Sequence, residues 1–189
     1  MIVQYDVIII GAGAAGMMSA IEAGKRGRKV LLVDHYKKIG EKIRISGGGR
    51  CNFTNIHTNP NKFISQNPKF VRSALSQYTQ NDFTNLINKY EIKFHEKKLG
   101  QLFCDHSAQQ IVEMLLKECE LANVTILKEF IIKNADKDND QYLVSTETDK
   151  YSSESLIIAT GGLSVPKIGA TSFGYEIAKK FDHNIIETL

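Results

Sequence analysis

The sequence is poor in cysteine and histidine, and this argues against disulfide-stabilised and metal-bound folds. Its three cysteines are an odd number and include no Cys-x-x-Cys pair, so we expect neither a disulfide framework nor a zinc site. The five histidines are isolated and lack the spacing of metal ligands, and we predict no metal site. The cysteines are interpreted as reduced thiols, which favours a cytoplasmic protein.

The chain also lacks long runs of charge and long runs of apolar residues. Its lysines are scattered and its net charge is only +3, so we predict no nucleic-acid partner. The apolar run Val7–Ile10 is too short for a signal peptide or a membrane span, so we predict no membrane partner. With 42% hydrophobic and 24% charged residues, the composition is typical of a globular protein with a substantial core.

The first part of the chain has the pattern of a βαβ unit. Asp6–Ile10 is a β-branched run that predicts a strand, Ala14–Arg26 predicts a helix with Gly27 at its end, and Lys29–Asp34 predicts a second strand. Two strands joined through a helix should lie parallel with a right-handed crossover. The sequence therefore predicts the start of a Rossmann-like α/β fold.

A glycine-rich turn, G-x-G-x-x-G, separates the first strand from the helix. Gly11 would make the tight turn, Gly13 would let a pyrophosphate approach the backbone, and Gly16 would let the helix pack against the strand. Asp34, at the end of the second strand, stands where a carboxylate would bind a ribose hydroxyl. The alternative is a tight turn that binds nothing. The residues of this turn predicted to contact a cofactor are Gly11, Gly13, Ala14, Ala15 and Gly16.

A second glycine-rich loop, RISGGGRCNFTN, follows soon after Asp34. This spacing favours a ligand longer than NAD, and the backbone N–H groups of the loop could form an anion-binding concavity. The glycines could instead serve only a sharp turn, the Ser46 hydroxyl could cap that turn or face phosphates, and Arg50 could lie near the cofactor or in solvent. Cys51 is interpreted as a bystander and not as a redox thiol. The cofactor contacts predicted here are Lys42, Ser46, Gly47, Gly48, Gly49, Arg50, Cys51 and Asn52.

The rest of the chain predicts a β-meander and a helical excursion over residues 60–123. A hairpin or meander of Val124–Lys133 and Tyr142–Thr148 is expected around the polar turn 136–140, followed by a buried strand, Leu156–Ala159. The turn Thr160-Gly161-Gly162 after that strand is predicted to approach the cofactor. The expected helices are Pro68–Tyr78, Asp82–Tyr90 capped by Asp82, Ser107–Glu120 with a capping box between Ser107 and Gln110, and Gly174–Phe181; short strands are expected at Ile92–His95 and Gln101–Cys104.

Four stretches resemble one protein family and follow its order along the chain. They are VIIIGAGAAGMMSA, ISGGGRCNFTN, GQLFCDHSAQQIVEMLL and IIATGGLSVPKIGATSFGYEIAKKF. The chain resembles the N-terminal half of the HI0933-like, or aminoacetone oxidase-like, family of bacterial FAD-dependent oxidoreductases. The resemblance implies that residues 1–189 form the N-terminal part of an FAD/NAD(P)-binding domain, without the inserted domain and the C-terminal half of the family.

The resemblance also implies a reaction class. FAD would be reduced by NAD(P)H and reoxidised by an organic acceptor or by oxygen, with a small-molecule substrate; amine oxidation and carbon–carbon double-bond reduction are both candidates. Two alternatives stay open: a non-catalytic, truncated FAD-binding remnant, and a flavoprotein that modifies tRNA. No catalytic residue is identified from the sequence.

Overall fold

The structure is a computed structural model that describes residues 2–164 and 169–187, and the chain divides into two compact units. The first unit comprises residues 1–42 and 115–189, and the second comprises residues 43–114. Within the described ranges, no helix is long and apolar enough to cross a membrane. The helices are α1 (Ala14–Lys25), α2 (Glu41–Ile45), α3 (Arg72–Gln77), α4 (Gln80–Lys89), α5 (Gln109–Leu121) and α6 (Phe173–Lys180). The strands are β1 (Ile2–Ile10), β2 (Val30–Val33), β3 (Asn52–Asn55), β4 (Phe94–Glu96), β5 (Gln101–Cys104), β6 (Thr125–Leu127), β7 (Asn134–Asp138), β8 (Gln141–Ser145) and β9 (Lys150–Ile158).

The first unit contains a six-stranded sheet in the order β6-β2-β1-β9-β8-β7. Strand β1 pairs in parallel with both β2 and β9, and β2 pairs in parallel with β6. Strands β7, β8 and β9 form an antiparallel meander at the other end of the sheet. This is the predicted Rossmann-like fold, a largely parallel sheet with a β-meander crossover.

The core of this unit explains why β1 and β2 form parallel strands. All four residues of β2 are buried, as are Ile8 and Ile9 of β1, so apolar side chains cover both faces of the sheet. Helix α1 buries Met17, Ala20 and Ile21. It ends at Lys25, one residue before the predicted end, and Gly27 follows in the left-handed conformation (φ +75°) that glycine adopts without strain. The predicted βαβ unit is confirmed.

The second unit contains a three-stranded antiparallel sheet in the order β3-β5-β4. Strand β5 covers the residues predicted for it, Gln101–Cys104. Helix α3 is shorter than the predicted Pro68–Tyr78, since it begins at Arg72 and ends at Gln77.

Two helix starts differ from the prediction. The cap of α4 is Thr79, whose hydroxyl accepts a hydrogen bond from the Asp82 N–H, while Asp82 accepts one from the Thr79 N–H. Asp82 is therefore the third helical residue of a capping box and not the cap itself.

At α5, the Ser107 hydroxyl accepts a hydrogen bond from the Gln109 N–H at 3.1 Å, and Gln110 Oε1 is buried with no hydrogen-bond partner in the described part of the chain. The predicted capping box with Gln110 is wrong.

The predicted hairpin around residues 136–140 is also wrong in its first strand. Only Thr125–Leu127 of the expected Val124–Lys133 strand is extended, and it pairs with β2 instead of β8. The partner of β8 is β7, which includes residues that the sequence placed in the turn. Polar residues are tolerated in β7 because it is an edge strand in which only Ala135 is buried. The reversal itself lies within the predicted turn, at Asn139, which has a left-handed φ of +52°.

Candidate dinucleotide site

The glycine-rich turn lies where β1, β2 and β9 end together. The Gly11 N–H donates to the Val33 carbonyl at 2.8 Å, and a Cβ at Gly11 would lie 2.6 Å from the carbonyl oxygen of Ala159. Gly11 also has a φ of +103°, which other residues rarely adopt. A Cβ at Gly16 would lie only 1.8 Å from the Gly11 carbonyl oxygen. Both glycines are therefore required for close packing of the main chain, whatever binds here.

Gly13 has a different environment. Its backbone is extended (φ −83°, ψ −168°), a conformation open to any residue, and a Cβ there would meet no heavy atom within 4 Å. Gly13 caps α1 without a side-chain hydrogen bond, and Ala14 and Ala15 are exposed. The N-terminus of α1 thus presents its N–H groups and the positive end of its dipole to open space, which suits an anion such as a pyrophosphate.

Asp34 connects the end of β2 to this turn. Its Oδ2 accepts a hydrogen bond from the Ala12 N–H at 2.7 Å, and its Oδ1 accepts one from the Tyr36 N–H at 2.9 Å. Because each carboxylate oxygen can accept two hydrogen bonds, capacity remains for ribose hydroxyls. The carboxylate therefore also holds the turn in place, a role that the sequence analysis missed.

A pocket of about 270 Å³ opens beside Asp34 in the first unit. Its walls are mainly apolar, and the lining side chains include Ile10, Val33, Phe130, Ile132 and Phe173. The Phe130 N–H donates to the Asp34 carbonyl at 2.9 Å, which fixes this segment against the end of β2. An apolar pocket with a carboxylate at its edge fits the nucleoside end of a dinucleotide.

The aromatic residues of this pocket escaped the sequence analysis. Phe130 follows β6, and the carboxyl ends of parallel strands share one edge of a sheet, where ligands of such folds bind. Recognising β6 as a parallel strand next to β2 would have placed Phe130 at the site.

Lys42 and the turn after β9 also come together in the first unit. Lys42 Nζ donates to the Gly162 carbonyl at 3.2 Å, and the Gly40 N–H donates to the Ala12 carbonyl at 3.1 Å. These two hydrogen bonds connect the segment around Lys42 to both glycine-containing turns. The structure thus groups one set of the residues predicted to bind the cofactor in a single unit: Gly11, Gly13, Ala14, Ala15, Gly16, Asp34, Lys42, Thr160, Gly161 and Gly162.

The second glycine-rich loop, Ser46–Gly49, is a 3-10 turn in the second unit. Gly47, Gly48 and Gly49 have φ angles of +59°, +67° and +85°. A Cβ at Gly47 would lie 2.6 Å from the Phe103 ring, whereas a Cβ at Gly48 would meet nothing within 4 Å. The left-handed backbone accounts for all three glycines, and the free space at Gly48 leaves room for a ligand. Both interpretations of the loop stay open.

The side chains around this loop differ in their hydrogen bonding and in their exposure to solvent. Ser46 Oγ donates to the Ile43 carbonyl at 2.8 Å, which is the turn-capping role considered for it. Arg50 and Asn52 are exposed, and Cys51 is buried. Their predicted contacts with the cofactor stay predictions.

Cys51 has a cysteine neighbour that is distant in sequence. The β3–β5 pairing brings Cys104 close, and its N–H donates to the Arg50 carbonyl at 2.9 Å. Burial raises the pKa of Cys51, and burial together with Cys51 raises the pKa of Cys104 to about 11. Both thiols are therefore protonated and weakly nucleophilic at neutral pH. In the described residues, no group of three or more His, Cys, Asp or Glu side chains could hold a metal ion.

Three features of the first unit are typical of FAD-dependent oxidoreductases. They are the Rossmann-like sheet with its β-meander crossover, the glycine-rich turn, and the carboxylate after the second strand. The model of one family, the HI0933-like protein Rossmann domain, matches residues 5–188. The chain belongs to this family, and the predicted resemblance is confirmed.

Two curated relatives named "Ribosomal RNA dihydrouridine synthase" are similar over almost the whole chain. The protein of Escherichia coli K12 is 52% identical over 185 residues, which are 98% of this chain and 46% of the relative. The protein of Haemophilus influenzae Rd is 48% identical over 188 residues, which are 97% of this chain and 47% of the relative. The chain spans about half the length of these relatives.

Solved structures with similar folds have low sequence identity to this chain. A 3-ketosteroid-Δ4-(5α)-dehydrogenase from Rhodococcus jostii RHA1 has a TM-score of 0.60 and 12% identity, covering 85% of this chain and 46% of its own. The halogenase PltM, solved with phloroglucinol and FAD, has a TM-score of 0.56 and 17% identity, covering 98% of this chain and 38% of its own. At these identities the likeness concerns the fold alone, and it confirms the predicted fold class.

Proposed function

We propose that this protein binds FAD and takes part in reducing uridine to dihydrouridine in ribosomal RNA. The observation that carries the proposal is the 52% identity to the E. coli ribosomal RNA dihydrouridine synthase across 98% of the chain. An RNA substrate would replace the small molecule predicted from the sequence. It would also revise the prediction that nucleic acid is not a partner. Ribosomal RNA modification agrees with the predicted cytoplasmic location.

The residues of the first unit fit FAD. The N-terminus of α1, which has no side-chain cap, would bind the pyrophosphate, and the open space at Gly13 would let it approach the backbone. Asp34 would accept hydrogen bonds from the ribose, and the pocket beside it would hold the nucleoside. Lys42, fixed on the Gly162 carbonyl, would add positive charge to the same unit. The loop Ser46–Gly49, together with Arg50, Cys51 and Asn52, is proposed as a further contact of the cofactor.

The reaction follows from the names of the relatives. Conversion of uridine to dihydrouridine adds a hydride and a proton across one carbon–carbon double bond. Bound FAD supplies the two-electron chemistry for such a step, with NAD(P)H as the proposed source of the electrons. The protein would hold the cofactor, exclude water around it and position the uracil ring. Of the two reactions considered from the sequence, this proposal selects double-bond reduction over amine oxidation.

Mass spectrometry of ribosomal RNA nucleosides tests the function. Cells lacking the gene should lose dihydrouridine from ribosomal RNA, and the intact gene should restore it. A gene carrying Gly13→Ala should restore less dihydrouridine than the intact gene, because the added Cβ hinders approach of the pyrophosphate and weakens FAD binding. Restoration should succeed with Gly27→Ala, which places the same Cβ in open space beyond the other end of α1.

Unchanged dihydrouridine in the deletion strain would contradict the function. Steady-state NAD(P)H oxidation by the purified protein separates an enzyme from a non-catalytic FAD-binding remnant.

A further inference from the structure

The positive charge of the chain is concentrated in one segment. Residues 42–81 contain no Asp or Glu, and the whole remainder has 18 Lys or Arg against 21 Asp or Glu. The positive net charge therefore comes entirely from these forty residues. The net charge of the whole chain does not reveal this concentration. Their basic side chains are Lys42, Arg44, Arg50, Lys62, Lys69 and Arg72.

Part of this stretch also exposes aromatic and aliphatic side chains. Every residue from 61 to 70 is exposed, and within this run Phe63 is 43% exposed, Phe70 is 78% exposed and Ile64 is fully exposed. Burying such side chains stabilises a protein, so their exposure side by side points to a partner. We call residues 56–78 the basic segment.

The basic segment alternates charge and aromatic rings. Lys62 precedes Phe63, Lys69 precedes Phe70, and Arg72 follows closely. Local hydrogen bonds order both Lys-Phe pairs: Asn59 Oδ1 accepts from the Asn61 N–H at 3.1 Å, and Asn67 Oδ1 accepts from the Lys69 N–H at 3.2 Å. The two rings are thus presented to solvent on defined turns, which lowers the entropy lost on binding.

We propose that the basic segment is the docking surface for an unpaired strand of the RNA substrate. This inference rests on the proposed function, which requires an RNA substrate. Bases of a single strand stack on aromatic faces while its phosphates pair with Lys and Arg, and the segment supplies both groups in alternation. Asp and Glu, which would repel phosphate, are absent from it. A protein partner or a membrane would instead favour a continuous apolar face, whereas here lysine interrupts the apolar side chains.

Fluorescence anisotropy with a labelled, uridine-containing single-stranded RNA tests the surface. The double variant Lys62→Gln, Lys69→Gln should weaken binding and reduce the slope of log K against log salt by about 1.4, at roughly 0.7 for each phosphate that the variant no longer neutralises. The double variant Phe63→Leu, Phe70→Leu keeps apolar volume but removes stacking. It should weaken binding about 5- to 150-fold per base and leave the salt slope unchanged.

A matched control lies in the same unit. Lys97→Gln, Lys98→Gln removes the same charge from the connection between β4 and β5, and it should leave both affinity and salt slope at the wild-type values. Circular dichroism should show the same folding for all variants, since the side chains changed in the basic segment are exposed.

Three results would overturn the docking surface: no RNA binding by the wild type, equal losses in the control variant, or unchanged binding in both segment variants. Loss of self-association with the leucine variant, without loss of RNA binding, would show instead that a second copy covers the surface. The protein could bind RNA through the segment and yet leave ribosomal uridine unreduced. That result would contradict the proposed function and support the docking surface.

Discussion

The substitution Gly13→Ala separates binding of the cofactor from folding. Gly13 has an extended backbone that alanine can adopt, and the new Cβ would meet no heavy atom within 4 Å. The free energy of unfolding should fall by only about 0.5–1 kcal/mol, the usual difference between glycine and alanine at a helix cap. The Cβ would nevertheless occupy the space through which a pyrophosphate reaches the first N–H groups of α1.

The expected loss of affinity follows from the hydrogen bonds to that pyrophosphate. One hydrogen bond to a charged group contributes about 1.5–3 kcal/mol, so FAD should bind about 10- to 150-fold more weakly. The assay is titration of the apoprotein with FAD, followed by flavin fluorescence, with thermal unfolding of the same samples. Gly16→Ala is the opposite case, because its Cβ would lie 1.8 Å from the Gly11 carbonyl oxygen and should destabilise the fold itself. Wild-type FAD affinity in Gly13→Ala would refute the assignment of the turn to the pyrophosphate.

Three further predictions address other parts of the molecule. Gly48→Ala and Gly27→Ala each place a Cβ in open space at a similar left-handed φ angle, so both variants should lose about 1–2 kcal/mol of stability. Only Gly48→Ala should lower the amount of flavin bound per folded protein. Equal flavin content in the two variants would mean that the second loop serves only as a turn. Asp34→Asn should weaken FAD about 10- to 150-fold and also lower stability, because the amide keeps one acceptor oxygen and its nitrogen accepts nothing, so either the Ala12 or the Tyr36 N–H loses its partner; an unchanged titration would remove Asp34 from the site. Burial raises the pKa of Cys104 to about 11 and that of Cys119 to about 12, from 9.0 in the unfolded chain. Unfolded thiols therefore ionise first, and the free energy of unfolding should fall above about pH 9, by about 1.4 kcal/mol per pH unit for each thiol. If the pH dependence of stability were the same in the wild type and in Cys119→Ala, this prediction would be wrong.

The opening of the chain could be predicted because its signals are local. The apolar run before Gly11, the helical spacing after it and the carboxylate at Asp34 all lie within about thirty residues. Short-range turn chemistry and periodicity specify each piece, and a single crossover rule joins them.

The errors arose where pairing between distant residues decides the structure. Thr125–Leu127 is extended because it completes the sheet beside β2, more than ninety residues away, and no local pattern reveals that partner. Cys104 lies near Cys51 only through the β3–β5 register, so sequence spacing suggested no cysteine neighbour. The acid-free stretch 42–81, by contrast, was visible in the sequence and was hidden by averaging charge over the whole chain.

Identification of the cofactor released from the purified protein tests the central claim most directly. The arrangement of Gly13, Asp34 and the adjoining pocket predicts a yellow protein that releases FAD on acid denaturation. Chromatography of the supernatant should show about one FAD for each folded chain after reconstitution with excess cofactor. A colourless protein that retains a nicotinamide dinucleotide, or one that retains no nucleotide after reconstitution, would contradict the account.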